Sequence, residues 1–378
     1  MRRQDYFSKD WARATVKFVA EASRLGTVKW QEHPDGEFHI PYVSIGAGAD
    51  KIVINSGVHG AEGYLGSAVQ IMIMRELIPN LSPEFFEKYT LVLIHVINGW
   101  GMENGMREVI DARGGLVDLN RNFGVDFARP ELLPKNELYK QAHDLLLSPP
   151  DVGFDGKSKY RRMLDFRKAH SKDGVWASIS RGQYDQPAGL FYGGSYTMPE
   201  NEMTMRIYDE IMHCATSLMS IGLHTGVGRF YKNKGYVATN LQVSHEKSHP
   251  NTVKFTEMFQ DVTIIEPGIS LLGDLVDALE SRYAHLNIPV YTADFETGTD
   301  ESPTRSPVLR FMDRGNARYE MLAARKSKDE KLNPKNIRAK TARNLLKGWY
   351  YADNAVWRKS ALENANLFFR TMLSNLSR

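Results

Sequence analysis

Apolar positions along this chain switch between two periods, and each switch marks an element. From 6 to 25, Trp11, Val16, Phe18, Val19 and Ala22 recur at helical spacing and stop before Gly26, which predicts a surface-packed helix. Strand-like runs follow at Phe38 to Ile45, Lys51 to Asn55 and Thr90 to Asn98. The last contains Leu91-Val92-Leu93-Ile94-His95-Val96-Ile97, nearly unbroken in its apolarity, as a strand buried on both faces requires. A helical pattern from Tyr64 to Leu77 separates the second and third runs, giving a βαβ unit. Later strands are predicted at Met219 to Leu223, Val262 to Ile265 and Val290 to Phe295, with helices over 200–217, 272–285 and 342–373. The alternation predicts an α/β fold with a central mixed, largely parallel, twisted sheet flanked by helices.

Residues 128–190 break the pattern with Pro149-Pro150, several glycines and many charges. They read as an insertion or elaborated loop on one domain spanning 1–378, with a helical C-terminal extension from about 320. Hydrophobic and charged contents of 42% and 25% are ordinary globular values. The net charge of +3 says little about partners and gives no reason to expect nucleic acid. Its distribution is uneven: Arg325 to Lys347 holds nine Lys/Arg and two Asp/Glu, a solvated helical face or a contact for an anion or a second copy. The single Cys214 excludes an intrachain disulfide and sits in an apolar helical pattern, as a core residue would. With no signal-peptide pattern and no apolar run of about 18 residues, a soluble cytoplasmic protein is expected, without a membrane partner.

The candidate chemistry starts at Asn55-Ser56-Gly57-Val58-His59-Gly60-Ala61-Glu62-Gly63, between a strand and a helix. A His and a Glu three residues apart in a Gly-rich turn can place two ligands on one divalent metal, and the glycines leave room beside the backbone. A catalytic zinc takes three protein ligands and keeps a position open. The third is expected at another strand end on the same edge, and His224 in Ser220-Ile221-Gly222-Leu223-His224-Thr225-Gly226 is the candidate. A proton acceptor is also needed. Thr292-Ala293-Asp294-Phe295-Glu296-Thr297-Gly298 ends a third strand, where alternation sends Asp294 and Glu296 to one face and Phe295 to the other. Glu296, at the strand end, is the expected base. Finally, Val117-Asp118-Leu119-Asn120-Arg121-Asn122-Phe123 is a polar cluster in apolar flanks, and an Arg there grips a carboxylate through parallel hydrogen bonds.

Taken together, these four segments resemble the zinc carboxypeptidase family, whose His2Glu ligand set is a standard example of catalytic zinc. The resemblance implies a carboxypeptidase-like fold, one zinc per chain on His59, Glu62 and His224, and Glu296 as general base. It also implies that Asn120 and Arg121 hold a substrate carboxylate, that Arg107 polarises the scissile carbonyl, and that Asp118 stands behind the first His ligand. A bacterial branch of the clan that carries a domain of unknown function resembles the chain further, through Gly182-Gln183-Tyr184-Asp185-Gln186-Pro187-Ala188-Gly189-Leu190-Phe191-Tyr192-Gly193-Gly194. Aspartoacylase and succinylglutamate desuccinylase belong to the same clan. The resemblance covers roughly 35–300. It departs at Asn98-Gly99-Trp100-Gly101, which lacks the family's proline, and in the 162-residue gap (224 − 62) from Glu62 to His224. For a substrate-binding tyrosine it points to Tyr236, ahead of Tyr283 and Tyr291.

The expected protein is a zinc-dependent hydrolase of an amide in a small carboxylate-bearing molecule or short peptide. An N-acyl amino acid deacylase and a non-catalytic metal-binding protein are the rivals, and a homo-oligomer is compatible with either. A serine hydrolase lacks its Gly-x-Ser-x-Gly here, since Gly193-Gly194-Ser195 does not fit the pattern.

Overall fold

A computed structural model describes residues 3–147, 158–243, 249–259, 263–265, 271–301, 307–323 and 337–378. Pro149-Pro150, Val262 and the first half of the basic stretch, 325–336, lie outside the described residues. Eight strands form one sheet: β1 Val28–Gln31, β2 Ile40–Ile45, β3 Asp50–Ser56, β4 Tyr89–Ile94, β5 Ser217–Thr225, β6 Thr239–Gln242, β7 Thr263–Ile265 and β8 Val290–Thr297, in the order β1-β2-β4-β3-β5-β8-β6-β7. The four central strands are parallel, with Ile52 opposite both Leu91 and Met219, and Ile221 opposite Ala293. At the flanks β1 pairs with β2, β2 with β4 and β6 with β8 in antiparallel fashion, while β6 and β7 pair parallel. The sheet is therefore mixed with a parallel centre, as the pattern predicts. Strands β1 and β6 escape that pattern because each is short and only partly buried.

Parallel strands of this kind are covered on both faces. Ile52, Ile54, Leu91, Leu93, Met219 and Ile221 face one core, shared with helices Trp11–Ala22, Gly63–Met72 and Ala355–Leu376. Val53, Val92, Ile94 and Leu218 face the other, beneath Pro199–Met212 and Leu275–Tyr283. Because the central strands are parallel, the ends of β3, β5 and β8 fall on one edge of the sheet. Ligands gather at such an edge in open α/β sheets.

Three expectations need correction. The helix predicted over 200–217 stops at Met212, and Cys214 is exposed at a left-handed φ of 60°, turning the chain into β5 rather than filling the core. The described residues of 128–190 hold three helices, Glu137–Leu146, Lys159–Ala169 and Lys172–Arg181, which pack Tyr139, Leu146, Met163, Val175 and Ile179 into a small core with Met312 where a loop is one expectation. These helices are short and each contributes few apolar residues, so the period is faint. The helix predicted over 342–373 is two, Ile337–Tyr350 and Ala355–Leu376. Asn354 caps the second by accepting from the Trp357 amide. Among the described residues, no helix is long and apolar enough to cross a membrane.

Candidate metal centre

β3 ends at Ser56, and Gly57 follows at φ 65°, a value that favours glycine and turns the chain so that His59 faces the sheet edge. The backbone amides of Gly60 and Ala61 donate to the carbonyls of Arg107 and Met106, which ties Arg107 to this turn. On the next strands, Glu296 of β8 lies in register with His224 of β5, and Asp294 with Gly222. A side chain at 222 would put its Cβ 2.4 Å from an Asp294 carboxylate oxygen. Glycine there leaves room for that carboxylate beside His224.

His59, Glu62 and His224 are buried, and their donor atoms lie within 4.8 Å of one another. His59 Nδ1 is 3.0 Å from Glu62 Oε1, and His224 Nδ1 is 3.0 Å from Glu62 Oε2 and 3.1 Å from His59 Nδ1. The outer ring nitrogens face carboxylates: His59 Nε2 is 3.1 Å from Asp118 Oδ1, and His224 Nε2 is 3.4 Å from Asp294 Oδ1. A proton on each outer nitrogen suits those carboxylates and leaves both Nδ1 lone pairs turned inward, together with Glu62. Two lone pairs and a carboxylate converging on one point call for a cation, and the donor set suits zinc.

The charges agree. Glu62, Asp118, Asp294 and Glu296 stand around the site, and among the described residues, the two histidines aside, Arg107 is the one cation ion-paired to them, through Glu62 and Asp118. Burial works against charge on Glu62, yet His59 and His224 hold it well below the usual carboxylate range. Asp118 is held down in the same way by Arg107 and His59. Burial also opposes a charged His224, but Asp294 and Glu62 push it up to about 10. Glu296 is pushed up to about 8 by burial, with Glu62 and Asp294 adding to it. The surplus of negative charge draws protons when it has no other cation. Glu296 Oε2 is buried without a hydrogen-bond partner among the described residues.

The remaining predicted residues fall into two groups. Asp118 accepts from Arg107 Nε at 3.0 Å and from the Asn120 amide at 3.0 Å, and so joins the centre. Asn120 Oδ1 accepts from the Leu275 amide, and Arg121 donates from its two terminal nitrogens to the carbonyls of Asn120 and Ser180. Much of their polar capacity is thus spent inside the protein, although Arg121 Nε has no partner. Tyr236 is half exposed on a small hairpin with its ring near Tyr231, and no contact among the described residues brings it to the cluster. Tyr350 stands there instead: its ring centroid is 5.6 Å from the Arg107 guanidinium carbon, and its carbonyl accepts from Thr225. Thr225 in turn donates its amide to Glu62. The alternation of Asp294-Phe295-Glu296 put Asp294 on the right face without giving it a role. For Tyr350 the local sequence holds no signal, because it lies beyond the region of resemblance. A cleft of about 560 Å³ lined by Asn136, Ser178, Arg181 and Leu272 opens beside helices Glu137–Leu146 and Lys172–Arg181 and shares no residue with this cluster.

The chain belongs to the family described as protein of unknown function (DUF2817), whose profile matches residues 7–364. No curated protein matches it. Among solved structures it is similar to thrombin-activatable fibrinolysis inhibitor, at 12% identity and TM-score 0.43, over 76% of this chain and 65% of that one. A carboxypeptidase A from Helicoverpa armigera aligns at 12% identity and TM-score 0.43, over 88% and 70%. A succinylglutamate desuccinylase from Chromobacterium violaceum aligns at 14% identity and TM-score 0.34, over 82% and 74%. At these scores the likenesses do not bear on what the chain does.

Proposed function

We propose that this protein is a metal-dependent hydrolase that cleaves an amide bond in a small carboxylate-bearing substrate or short peptide. The observation that carries this is the convergence of three inward donors, His59 Nδ1, Glu62 and His224 Nδ1, beside the unpartnered carboxylate oxygen of Glu296. A divalent metal such as zinc, when bound, supplies Lewis acidity for a water and for a carbonyl oxygen. Glu296 takes the proton of the attacking water, the carbon–oxygen bond forms, and the carbon–nitrogen bond breaks as Glu296 returns the proton to the leaving amine. Arg107, with Nε and Nη1 fixed by Asp118 and Glu62, offers its remaining N–H groups to the oxygen that gains charge. Asp118 and Asp294 orient the two histidines, and Asn120 with Arg121 holds the carboxylate. Tyr350, rather than Tyr236, is the tyrosine suited to contact substrate.

The N-acyl amino acid deacylase is a second form of the same chemistry. A binding protein without catalysis is disfavoured by Glu296, since a buried carboxylate oxygen left without a partner is costly unless something uses it. The test is turnover of zinc-loaded protein on paired peptide and N-acyl amino acid panels, each member supplied as free acid and as capped carboxamide. Cleavage of free acids is expected, with capped twins poor. No release of amine above the chelator-treated control would overturn the reading.

A further inference from the structure

Three guanidinium groups gather around one aromatic ring. The central carbons of Arg107, Arg121 and Arg314 lie 5.6, 5.5 and 5.1 Å from the Phe191 centroid. Arg314 and Arg107 also share the Tyr350 ring, at 5.0 and 5.6 Å. Phe191 itself is held at φ 54°, a left-handed value that strains a bulky residue and clusters at functional sites. Among the described residues, Arg107 is the one of the three cations with a carboxylate in ion-pair contact. Arg121, 4% exposed, is bound to carbonyls.

Arg314 is the outlier. It is 7% exposed on helix Pro307–Ala323 and makes neither an ion pair nor a hydrogen bond among the described residues; its Nε is buried without a partner. Its contacts are the faces of Phe191, Phe311 and Tyr350. Aromatic faces attract a cation but satisfy none of its N–H groups. A buried guanidinium with no counter-ion is expensive, and an arriving anion relieves that cost.

We propose that Arg314 is a second anion-binding residue of the site, so that the substrate is an amide carrying two carboxylates. One meets Arg121, and the other meets Arg314 across the Phe191–Tyr350 wall. The assignment rests on the proposed hydrolase reading for its chemistry, but not for its binding site. Arg314 matches in geometry what recognition of a planar anion needs, a fork of free N–H groups held rigidly in an apolar frame.

The test uses zinc-loaded full-length protein with two probes, glutarate and its monoamide. Each has one carboxylate available to a metal or to Arg121, so only the second differs. Calorimetric titration should show glutarate binding at least about tenfold tighter than the monoamide in wild type, as loss of one charged contact implies. In Arg314→Gln that ratio should fall to about twofold, with Arg314→Lys between. A thermal melt checks the role: Arg314→Gln should melt no lower than wild type, since it removes an unpaired buried charge. An unchanged ratio in Arg314→Gln, or no preference for glutarate in wild type, overturns the proposal. A protein that shows the ratio yet cleaves no amide sinks the hydrolase reading and leaves the Arg314 site standing. A protein that cleaves amides without favouring the second carboxylate does the reverse.

Discussion

The His-Glu-His cluster and the wall beside it are built on opposite plans. At the ends of β3, β5 and β8 the proposed ligands are held by partners: Asp118 and Asp294 on the histidines, Thr225 and Arg107 on Glu62. At the wall, Phe191 and Tyr350 surround a guanidinium that has no such partner. The first arrangement fixes geometry, as a centre for chemistry requires, and the second leaves capacity for something that arrives. Rigid placement and unspent polar groups are separate requirements, and this fold assigns them to separate elements.

The comparison breaks first at Glu296. Glu296→Gln should lower kcat by about 10²–10⁴ while metal content stays at the wild-type level, because the amide accepts no proton from water. Near-normal turnover would move the base elsewhere. Next in size is Arg107→Ala, which removes a donor to the developing oxyanion. A loss of roughly 10²–10³ in kcat, with KM less affected, is the expected kinetic signature. A rise in KM alone would place Arg107 with the wall rather than with the centre.

A smaller effect sharpens the same contrast from behind the ligands. Gly222→Ala brings a methyl group against Asp294 and should force that carboxylate from His224. Zinc affinity should then fall by about 10–100-fold, the usual cost of disturbing a group that orients a ligand. Competition against a chromogenic chelator measures it; wild-type affinity would mean that Asp294 does not orient His224.

The least local prediction concerns the scaffold under both regions. His95 is buried against Phe18, with its Nδ1 facing Gln70 Oε1, and burial pushes its pKa down to about 3. The unfolded chain protonates this histidine below about pH 6.5. Between pH 6.5 and about 3 the unfolded state therefore binds more protons, and stability is lost as pH is lowered, by up to ~1.4 kcal/mol per unit. Urea midpoints at pH 7 and 5 should separate more in wild type than in His95→Gln. Equal separations would show that His95 is not kept neutral.

The two regions also differ in how far the sequence reveals them. His59, Glu62, His224 and Glu296 were legible because each stands at or just past a strand end next to glycine or threonine, and parallel strands bring such ends together. Asp294 was half legible, through alternation alone. Arg314 and Tyr350 were not, since on amphipathic helices they look like ordinary positions, and only tertiary packing brings them to Phe191. The break after Tyr350 was visible in principle as the cap at Asn354, but the apolar spacing runs on across it. Tyr236 was chosen by its place in the order of motifs, which says nothing about which way a hairpin faces. The short helices within 128–190 and the turn at Cys214 carry too little periodicity to register in the sequence.

The most direct measurement is the metal content of purified protein after dialysis against trace zinc, for wild type and for folded His224→Ala side by side. The account predicts about one zinc per wild-type chain and a large loss in His224→Ala. Equal zinc in the two proteins, or none in wild type, would contradict it.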